Sequence, residues 1–247
     1  MDTDGNGWPQ TGRNKALDEI RKSFSVMLSG DQHLATVIHH GIDEWNDAGY
    51  SFCVPSIVNF FARWWKPSWK PNKAMPEKGK FAGEYLDAFH NKITMHAYGN
   101  PKEREAKYGE WGRKAEGHGL VIFDKATREI TFECWPRGTD IKNPEHKQFV
   151  GWPITISQFD NYGRKAKAWL PEISVTDVKN PVVQVINESN GKIEYTVRIS
   201  GNSYRPKVFA LGKYTIKISE PDIGSEKVLK NIEATVEQNK KLEIKLK

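Results

Sequence analysis

The last third of the chain alternates apolar and polar residues in several short segments, and this pattern restricts its fold more than any other feature. A period of two residues is typical of β-strands with one buried face. Around position 197, Tyr195, Val197 and Ile199 are expected to share the buried face. The alternating segments are PVVQVINES, KIEYTVRIS, GKYTIKISE, NIEATVEQ and KKLEIKLK, divided by turn residues such as SNGK and EQNKK. Together they predict a small all-β, immunoglobulin-like sandwich.

A change in composition places the start of this sandwich near residue 170. All nine Trp residues lie at or before Trp169, and residues 171–247 contain no Trp, Cys, Met or His. A chain of 247 residues is long enough for two domains. We therefore predict one domain over residues 1–170 and a β-sandwich accessory domain over residues 173–247.

The first 170 residues combine one helical pattern with several strand patterns. The predicted elements are a helix at TGRNKALDEIRKS capped by Thr11, a strand at FSVMLSG buried on both faces, strands at LATVIHHG and YSFCVPSI, and a hairpin at HGLVIFDKATREITFECWPR. Residues 62–117 show little periodicity and are rich in Trp, Pro, Lys and Gly. We expect this segment to be irregular, and irregular stretches of that length are often functional.

Charge and apolar content exclude some broad classes. The formal net charge is +6, and its spread along the chain favours a solvated surface, with nucleic-acid binding unlikely. No apolar run reaches the roughly 18 residues of a membrane-spanning helix, and the N-terminus does not resemble a signal peptide. Cys53 and Cys134 lie in apolar, strand-like stretches, which favours buried thiols and leaves one disulfide open.

Asp31 and His33 follow a predicted strand that ends in Gly30, in the segment GDQHLATVIHHG. In extended backbone, residues two apart share a side, so their side chains would lie together at the carboxyl end of the strand. A carboxylate and an imidazole suit a cation such as Fe, Zn or Mn. His39 and His40 are adjacent and would face opposite ways, one packed inward and one in solvent.

The opening segment DTDGNG resembles the first half of a calcium-binding loop. Such a loop ends with a bidentate Glu at its twelfth position, where this chain has Arg13. We therefore read the segment as a polar turn. Asp4 and Asn6 remain candidates for lining a nearby site.

A second candidate site is the segment NFFARWWKPSWKPNK, which interleaves aromatic and basic residues. Trp64, Trp65 and Trp69 could stack on bases or sugars, with Arg63 and Lys66 contacting anionic groups. The alternative is a Pro-rich lid that packs its aromatic rings on the domain, with at least one Trp buried. This segment supports a rival function: a non-catalytic module that binds an anionic polymer or glycan through residues 60–72 and the C-terminal sandwich.

Read together, residues 4–57 resemble the late part of the PhoD-like alkaline phosphatase/phosphodiesterase family, within the calcineurin-like metallophosphoesterases. The resemblance extends over about residues 1–170. It is carried by Asn6, Gly7, Trp8, Pro9 and Arg13, then by Gly30, Asp31 and His33 of a Gly-Asp-x-His motif. The fold that it implies is α/β, namely part of a layered metallophosphoesterase β-sandwich with helices.

The resemblance also implies a chemistry. Asp31 and His33 would be the last metal-binding motif of a dinuclear site that holds Fe, Zn, Mn or Ca and hydrolyses a phosphomonoester or phosphodiester. Arg13, His40 and the segment Trp64, Trp65 and Lys66 would contribute on the substrate side.

The family's earlier ligand motifs do not occur in this sequence. We therefore expect the C-terminal part of a larger enzyme, with little or no activity alone and with the other ligands on a missing N-terminal half. The resemblance suggests an extracytoplasmic parent enzyme, while the localisation of this chain stays open. A third alternative is a degenerate relic or an interaction scaffold.

Overall fold

The computed structural model describes residues 7–57, 63–100, 115–237 and 240–246. Within these ranges the chain is mostly β, with strands arranged in five open sheets. The regular elements are α1 (Gln10–Arg21), β1 (Met27–Ser29), β2 (Thr36–His40), β3 (Tyr50–Cys53), β4 (Lys73–Ala74), β5 (Gly83–Leu86), β6 (Lys92–Tyr98), β7 (Gly117–Phe123), β8 (Glu129–Pro136), β9 (Ile154–Ser157), β10 (Ala168–Trp169), β11 (Glu172–Val175), β12 (Val182–Asn187), β13 (Ile193–Arg198), β14 (Ser203–Tyr204), β15 (Lys207–Val208), β16 (Lys213–Glu220), β17 (Ser225–Glu233), β18 (Lys241–Ile244), and two short 3₁₀ helices at Gln158–Tyr162 and Pro221–Ile223. The predicted β-rich character is confirmed.

The chain divides into two compact units. The first comprises Met1–Asp18 and Ser25–Asn161, and the second comprises Glu19–Phe24 and Tyr162–Lys247. The division after Asn161 lies upstream of the composition change near residue 170.

The first unit contains a six-stranded sheet with the order β1-β3-β2-β6-β5-β4 and a three-stranded sheet with the order β7-β8-β9. β1 pairs with β3 in parallel, and the other neighbours in both sheets are antiparallel. One buried cluster draws side chains from both sheets: Val37, Tyr50, Phe52 and Ala97 from the larger, and Ile130, Phe132, Cys134 and Ile156 from the smaller. The rings of Phe52 and Phe132 lie 5.4 Å apart at its centre.

The predicted hairpin is confirmed as β7 and β8. Ile130, Phe132 and Cys134 are buried, as their alternation with polar neighbours indicates. Asp124 closes the turn, because its carboxylate accepts the backbone N–H of Ala126 at 2.7 Å.

Two predictions about the start of the chain are wrong. Helix α1 begins at Gln10, and the Arg13 N–H donates to the carbonyl of Pro9 at 3.0 Å, so Thr11 lies inside the helix and is not its cap. The strand at FSVMLSG is not buried on both faces: β1 is an edge strand of three residues, and Leu28 is exposed. A short apolar run does not distinguish an edge strand from a central one.

The prediction of an irregular segment over residues 62–117 is also wrong in its described part. β4, β5 and β6 all lie there, and β6 is an inner strand of the larger sheet. Both faces of β6 are buried, and polar Thr94 and His96 occupy one of them. Ile93, Met95 and Ala97 nevertheless alternate with these polar residues, so the sequence carried a period-two strand signal that the assignment of an irregular segment overlooked.

The second unit contains a four-stranded sheet (β13-β12-β16-β17), a three-stranded sheet (β14-β11-β18) and the pair β10-β15. Tyr195, Val197 and Ile199 are all buried, as predicted from the period of two. β17 ends at Glu233, so this strand begins and ends earlier than the segment NIEATVEQ suggested.

Within the described residues, no helix combines the length and the apolar character that crossing a membrane requires.

The packing of the first unit predicts that two Phe substitutions on one hairpin lower the free energy of unfolding by different amounts. Phe132→Ala removes a fully buried ring and should lower the free energy of unfolding by about 3–5 kcal/mol. Phe123→Ala removes an exposed ring on β7 and should change it by less than about 1 kcal/mol. Urea unfolding followed by fluorescence measures both, and equal losses would contradict the packing described.

Candidate functional site

The carboxyl end of β1 leads into an exposed loop that carries Asp31 and His33. β1 is aligned with β3 so that Ser29 lies opposite Cys53, and the Val54 N–H donates to the Ser29 carbonyl at 2.9 Å. The pairing with β3 thus fixes the point at which the chain leaves the sheet.

The side chains of Asp31 and His33 come together at the tip of this loop. Asp31 Oδ1 lies 3.8 Å from His33 Nε2, and the two side chains are 99% and 26% exposed. Both residues have left-handed backbone, with φ of 64° and 56°. The expected juxtaposition is therefore present, but two turn-like conformations produce it and an extended strand does not. Asp and His are among the non-Gly residues that tolerate this region best.

Arg63 ties the following segment of the chain to this loop. Its backbone N–H donates to the His33 carbonyl at 3.3 Å, and its Nη1 donates to Gln32 Oε1 at 2.9 Å. A guanidinium, suited to binding anionic oxygens, is therefore hydrogen-bonded to the loop that carries the carboxylate and the imidazole.

The pair fits two ligands of one cation. Ligand atoms about 2.1 Å from a tetrahedral metal lie about 3.4 Å from each other, close to the observed separation. Among the described residues, no group of three or more His, Cys, Asp or Glu is placed to hold a metal. Cys53, next to the loop, is buried, and burial raises the pKa of its thiol despite a hydrogen bond with Ser29 that lowers it. The thiol is therefore protonated at neutral pH in the metal-free protein.

Cys134 is also a buried free thiol, so neither cysteine forms a disulfide. Burial raises the pKa of Cys134 strongly, with a smaller contribution from Cys53. The buried-thiol interpretation of both residues is confirmed.

Arg13 and His40 form a separate, hydrogen-bonded chain with Ser51. Arg13 Nη2 lies 3.1 Å from His40 Nδ1, and His40 Nε2 lies 2.8 Å from Ser51 Oγ. Because a guanidinium only donates, Nδ1 accepts and the ring proton is on Nε2, where it is donated to Ser51. Burial, and then Arg13, lowers the pKa of His40 to about 3. In this tautomer His40 cannot take a proton from the Ser51 hydroxyl.

The backbone of His40 lies at the other end of the strands from the Asp31–His33 loop, and Ser51 lies between the two. The His40 N–H donates to the Gly49 carbonyl, whereas Cys53 marks the end of β3 beside the loop. Four strand residues separate those positions, which corresponds to about 13 Å. A substrate-side role for Arg13 and His40 stays a prediction, and the contacts give both a structural role.

His39 packs inward in a cluster with Tyr50, His96 and Lys78. Its ring stacks on Tyr50 at 3.9 Å, and its Nε2 donates to the Ala48 carbonyl at 2.8 Å. Lys78 Nζ lies 2.8 Å from His96 Nδ1. Burial lowers the pKa of His39 to about 4, and burial and then Lys78 lower that of His96 to about 3.

The expectation that one of the adjacent histidines would be solvated is wrong, because both His39 and His40 are hydrogen-bonded within the protein. Sequence reasoning missed His96 and Lys78, since both lie in the segment predicted to be irregular. The lysine–histidine contact joins residues eighteen positions apart, a spacing with no sequence signature.

The aromatic-basic segment has one partly buried Trp and two exposed ones. The indole N–H of Trp65 donates to the Phe81 carbonyl at 2.8 Å, while Trp64 and Trp69 are 40% and 47% exposed. Lys66 is exposed. Asp4 and Asn6 lie outside the described residues.

Neither the family models, nor the curated proteins, nor the solved structures that were compared with this sequence gave a match.

The three neutral histidines predict a marked loss of stability in acid. Their folded-state pKa values of about 4, 3 and 3 lie below the ordinary value of 6.5. The folded state therefore binds fewer protons, so the stabilisation is complete above pH 6.5 and is lost as the pH falls from there towards 4. Each histidine should lower the free energy of unfolding by about 1.4 kcal/mol per pH unit in that window.

Urea unfolding at about pH 7, 6 and 5 measures this slope. His39→Phe keeps an aromatic ring stacked on Tyr50 but removes one titrating group. It should therefore reduce the slope of unfolding free energy against pH by about 1.4 kcal/mol per pH unit. A free energy of unfolding that is equal at the two ends of the range would contradict the burial of neutral histidines.

Proposed function

We propose that the chain is the C-terminal part of a metal-dependent phosphoesterase and that Asp31 and His33 contribute two ligands to its metal centre. One observation carries the proposal: an exposed carboxylate and a partly exposed imidazole lie 3.8 Å apart at the end of a strand, in the Gly-Asp-x-His motif of residues 30–33. The PhoD-like resemblance of residues 4–57 supports it. The parent reaction is hydrolysis of a phosphomonoester or phosphodiester.

The proposal includes the finer architecture of both units. In the first unit, the two sheets joined by the Phe52 and Phe132 cluster correspond to part of a layered metallophosphoesterase sandwich. In the second unit, the four-stranded and three-stranded sheets correspond to an immunoglobulin-like accessory sandwich.

When bound, Fe, Zn, Mn or Ca would neutralise phosphate charge and lower the pKa of a bound water. Asp31 offers carboxylate oxygens, and His33 offers Nε2, the ring nitrogen that faces Asp31. Arg63 holds the loop through the His33 carbonyl and directs a guanidinium to the same region for phosphoryl oxygens. The exposure of Asp31 leaves the pair open to a substrate.

A dinuclear centre needs more ligands than this pair supplies. In the proposal, the remaining ligands come from protein outside the described ranges or from another chain. Asp31 and His33 then bind one cation weakly by themselves, and hydrolysis depends on the completed centre.

Metal binding tests the two ligands directly. Mn²⁺ or Zn²⁺ should bind the purified chain at one site in isothermal titration calorimetry. Asp31→Asn and His33→Ala should each weaken that binding by more than about tenfold. Losing a residue that only hydrogen-bonds a metal ligand already weakens metal binding by about tenfold or more. His118→Ala, at a partly buried histidine on β7, serves as the control. Equal affinities for His33→Ala and His118→Ala would refute the assignment.

Phosphatase activity tests the incomplete character of the site. With p-nitrophenyl phosphate or bis-p-nitrophenyl phosphate, the chain plus Mn²⁺ should turn over no faster than His33→Ala, because two ligands do not hold a catalytic centre. Metal-dependent turnover clearly above that variant would show that the chain carries a complete centre.

A further inference from the structure

Most of the chain's excess of positive over negative charge lies in one segment that also carries exposed Trp. Residues 63–80 contain six basic residues (Arg63, Lys66, Lys70, Lys73, Lys78 and Lys80) and one acidic residue (Glu77), a net of +5 against +6 for the whole chain. The charge is therefore not spread evenly, contrary to the interpretation from bulk composition. Five of the six basic residues are exposed and can attract anionic partners, whereas Lys78 lies against His96.

Trp69 is exposed, yet it is held in place from two sides. Its indole N–H donates to the Leu86 carbonyl at 3.1 Å, and its ring meets Tyr85 edge-on at 6.5 Å and 88°. Tyr85 is buried and also meets Trp65 edge-on at 5.2 Å. Because the polar edge of Trp69 is already bonded, its exposed part is a fixed apolar ring surface. A ring fixed in this way loses little freedom when a ligand packs on it.

The backbone on either side of Trp69 is held as well. The Asn100 side chain bonds both backbone groups of Trp65, accepting from its N–H at 2.7 Å and donating to its carbonyl at 2.9 Å. The Asn72 N–H donates to the Glu84 carbonyl at 2.8 Å. The stretch between Trp65 and Asn72 is therefore anchored at both ends.

The exposed apolar groups here are not all aromatic. Leu86, whose carbonyl accepts from Trp69, is 42% exposed. A sugar ring packs its C–H face on aromatic and aliphatic groups alike, whereas a nucleic-acid base gains from a π face that Leu86 does not have. Lys66, Lys70 and Lys73 are exposed in the same stretch and can pair with carboxylates.

We propose that Trp69 and Leu86, with exposed Trp64 and the lysines at 66, 70 and 73, form a binding surface for an acidic polysaccharide. Pyranose rings pack on Trp69 and Leu86, and the lysine ammonium groups pair with the carboxylates of the polymer. The surface is independent of the proposed metal pair, so each proposal can fail without the other.

The test uses the full chain with polygalacturonate as the probe, and with dextran and oligo-deoxythymidine as comparison polymers, followed by titration calorimetry and Trp fluorescence. Polygalacturonate should bind in the presence of EDTA, weaken as salt rises, and bind more tightly than either comparison polymer. Tighter binding of dextran would overturn the role of charge. Tighter binding of oligo-deoxythymidine would overturn the sugar assignment, and loss of binding in EDTA would overturn independence from metal.

Paired variants identify the surface. Trp69→Ala should weaken binding at least about fivefold, the lower end of the cost of losing an aromatic stacking surface, and Trp69→Phe should restore most of it by keeping a ring face. Phe123→Ala, at an exposed ring on β7 in the other sheet of the first unit, should bind like the parent chain.

A double variant tests the role of charge: Lys66→Gln with Lys70→Gln should weaken binding and make it less dependent on salt. The control double variant Lys142→Gln with Lys147→Gln, at exposed lysines elsewhere, should leave both properties unchanged. Circular dichroism confirms folding of each variant. Unchanged binding by folded Trp69→Ala and by the Lys66 and Lys70 double variant would overturn the proposal.

Discussion

The position of β3 between parallel β1 and antiparallel β2 is the constraint on which the first unit depends. It places Phe52 against Phe132 at the centre of the core shared by the two sheets. It also aligns Ser29 with Cys53, so that the chain leaves the sheet at its edge and turns back through Asp31. The loop that follows β1 lies outside the packed core. The carboxylate of Asp31 and the imidazole of His33 can therefore approach each other there without the desolvation cost of full burial.

The polar side chains of this unit differ in how deeply they are buried, and their roles differ accordingly. His40 and His39 face protein donors, acceptors and rings, are held neutral, and contribute to stability at the end of the strands away from the loop. At the other end, Asp31 is almost fully exposed and His33 is partly exposed. The same residue type therefore has a structural role in one place and suits ligand binding in the other.

The sequence predicted the features that depend on local periodicity. The hairpin with Phe132 and the buried face with Tyr195 and Val197 follow from alternation alone. β6 was not predicted, although Ile93, Met95 and Ala97 alternate with polar neighbours, because the whole stretch rich in Trp, Pro, Lys and Gly was assigned as irregular. The sequence also did not reveal β1 as an edge strand, because sheet order is a long-range property. The sequence predicted that the Asp31 and His33 side chains lie close together, but it did not predict their left-handed backbone, which depends on the loop as a whole.

The central claim is that Asp31 and His33 bind a metal cation, and paramagnetic broadening of amide NMR signals by Mn²⁺ tests it most directly. At substoichiometric Mn²⁺, the account predicts that signals from residues 30–34 and from Cys53, Val54 and Arg63 broaden first, because these groups surround the loop. Signals from His40 and Gly49, about 13 Å away along the strands, should broaden later. Broadening that begins elsewhere, or no selective broadening, would contradict the account.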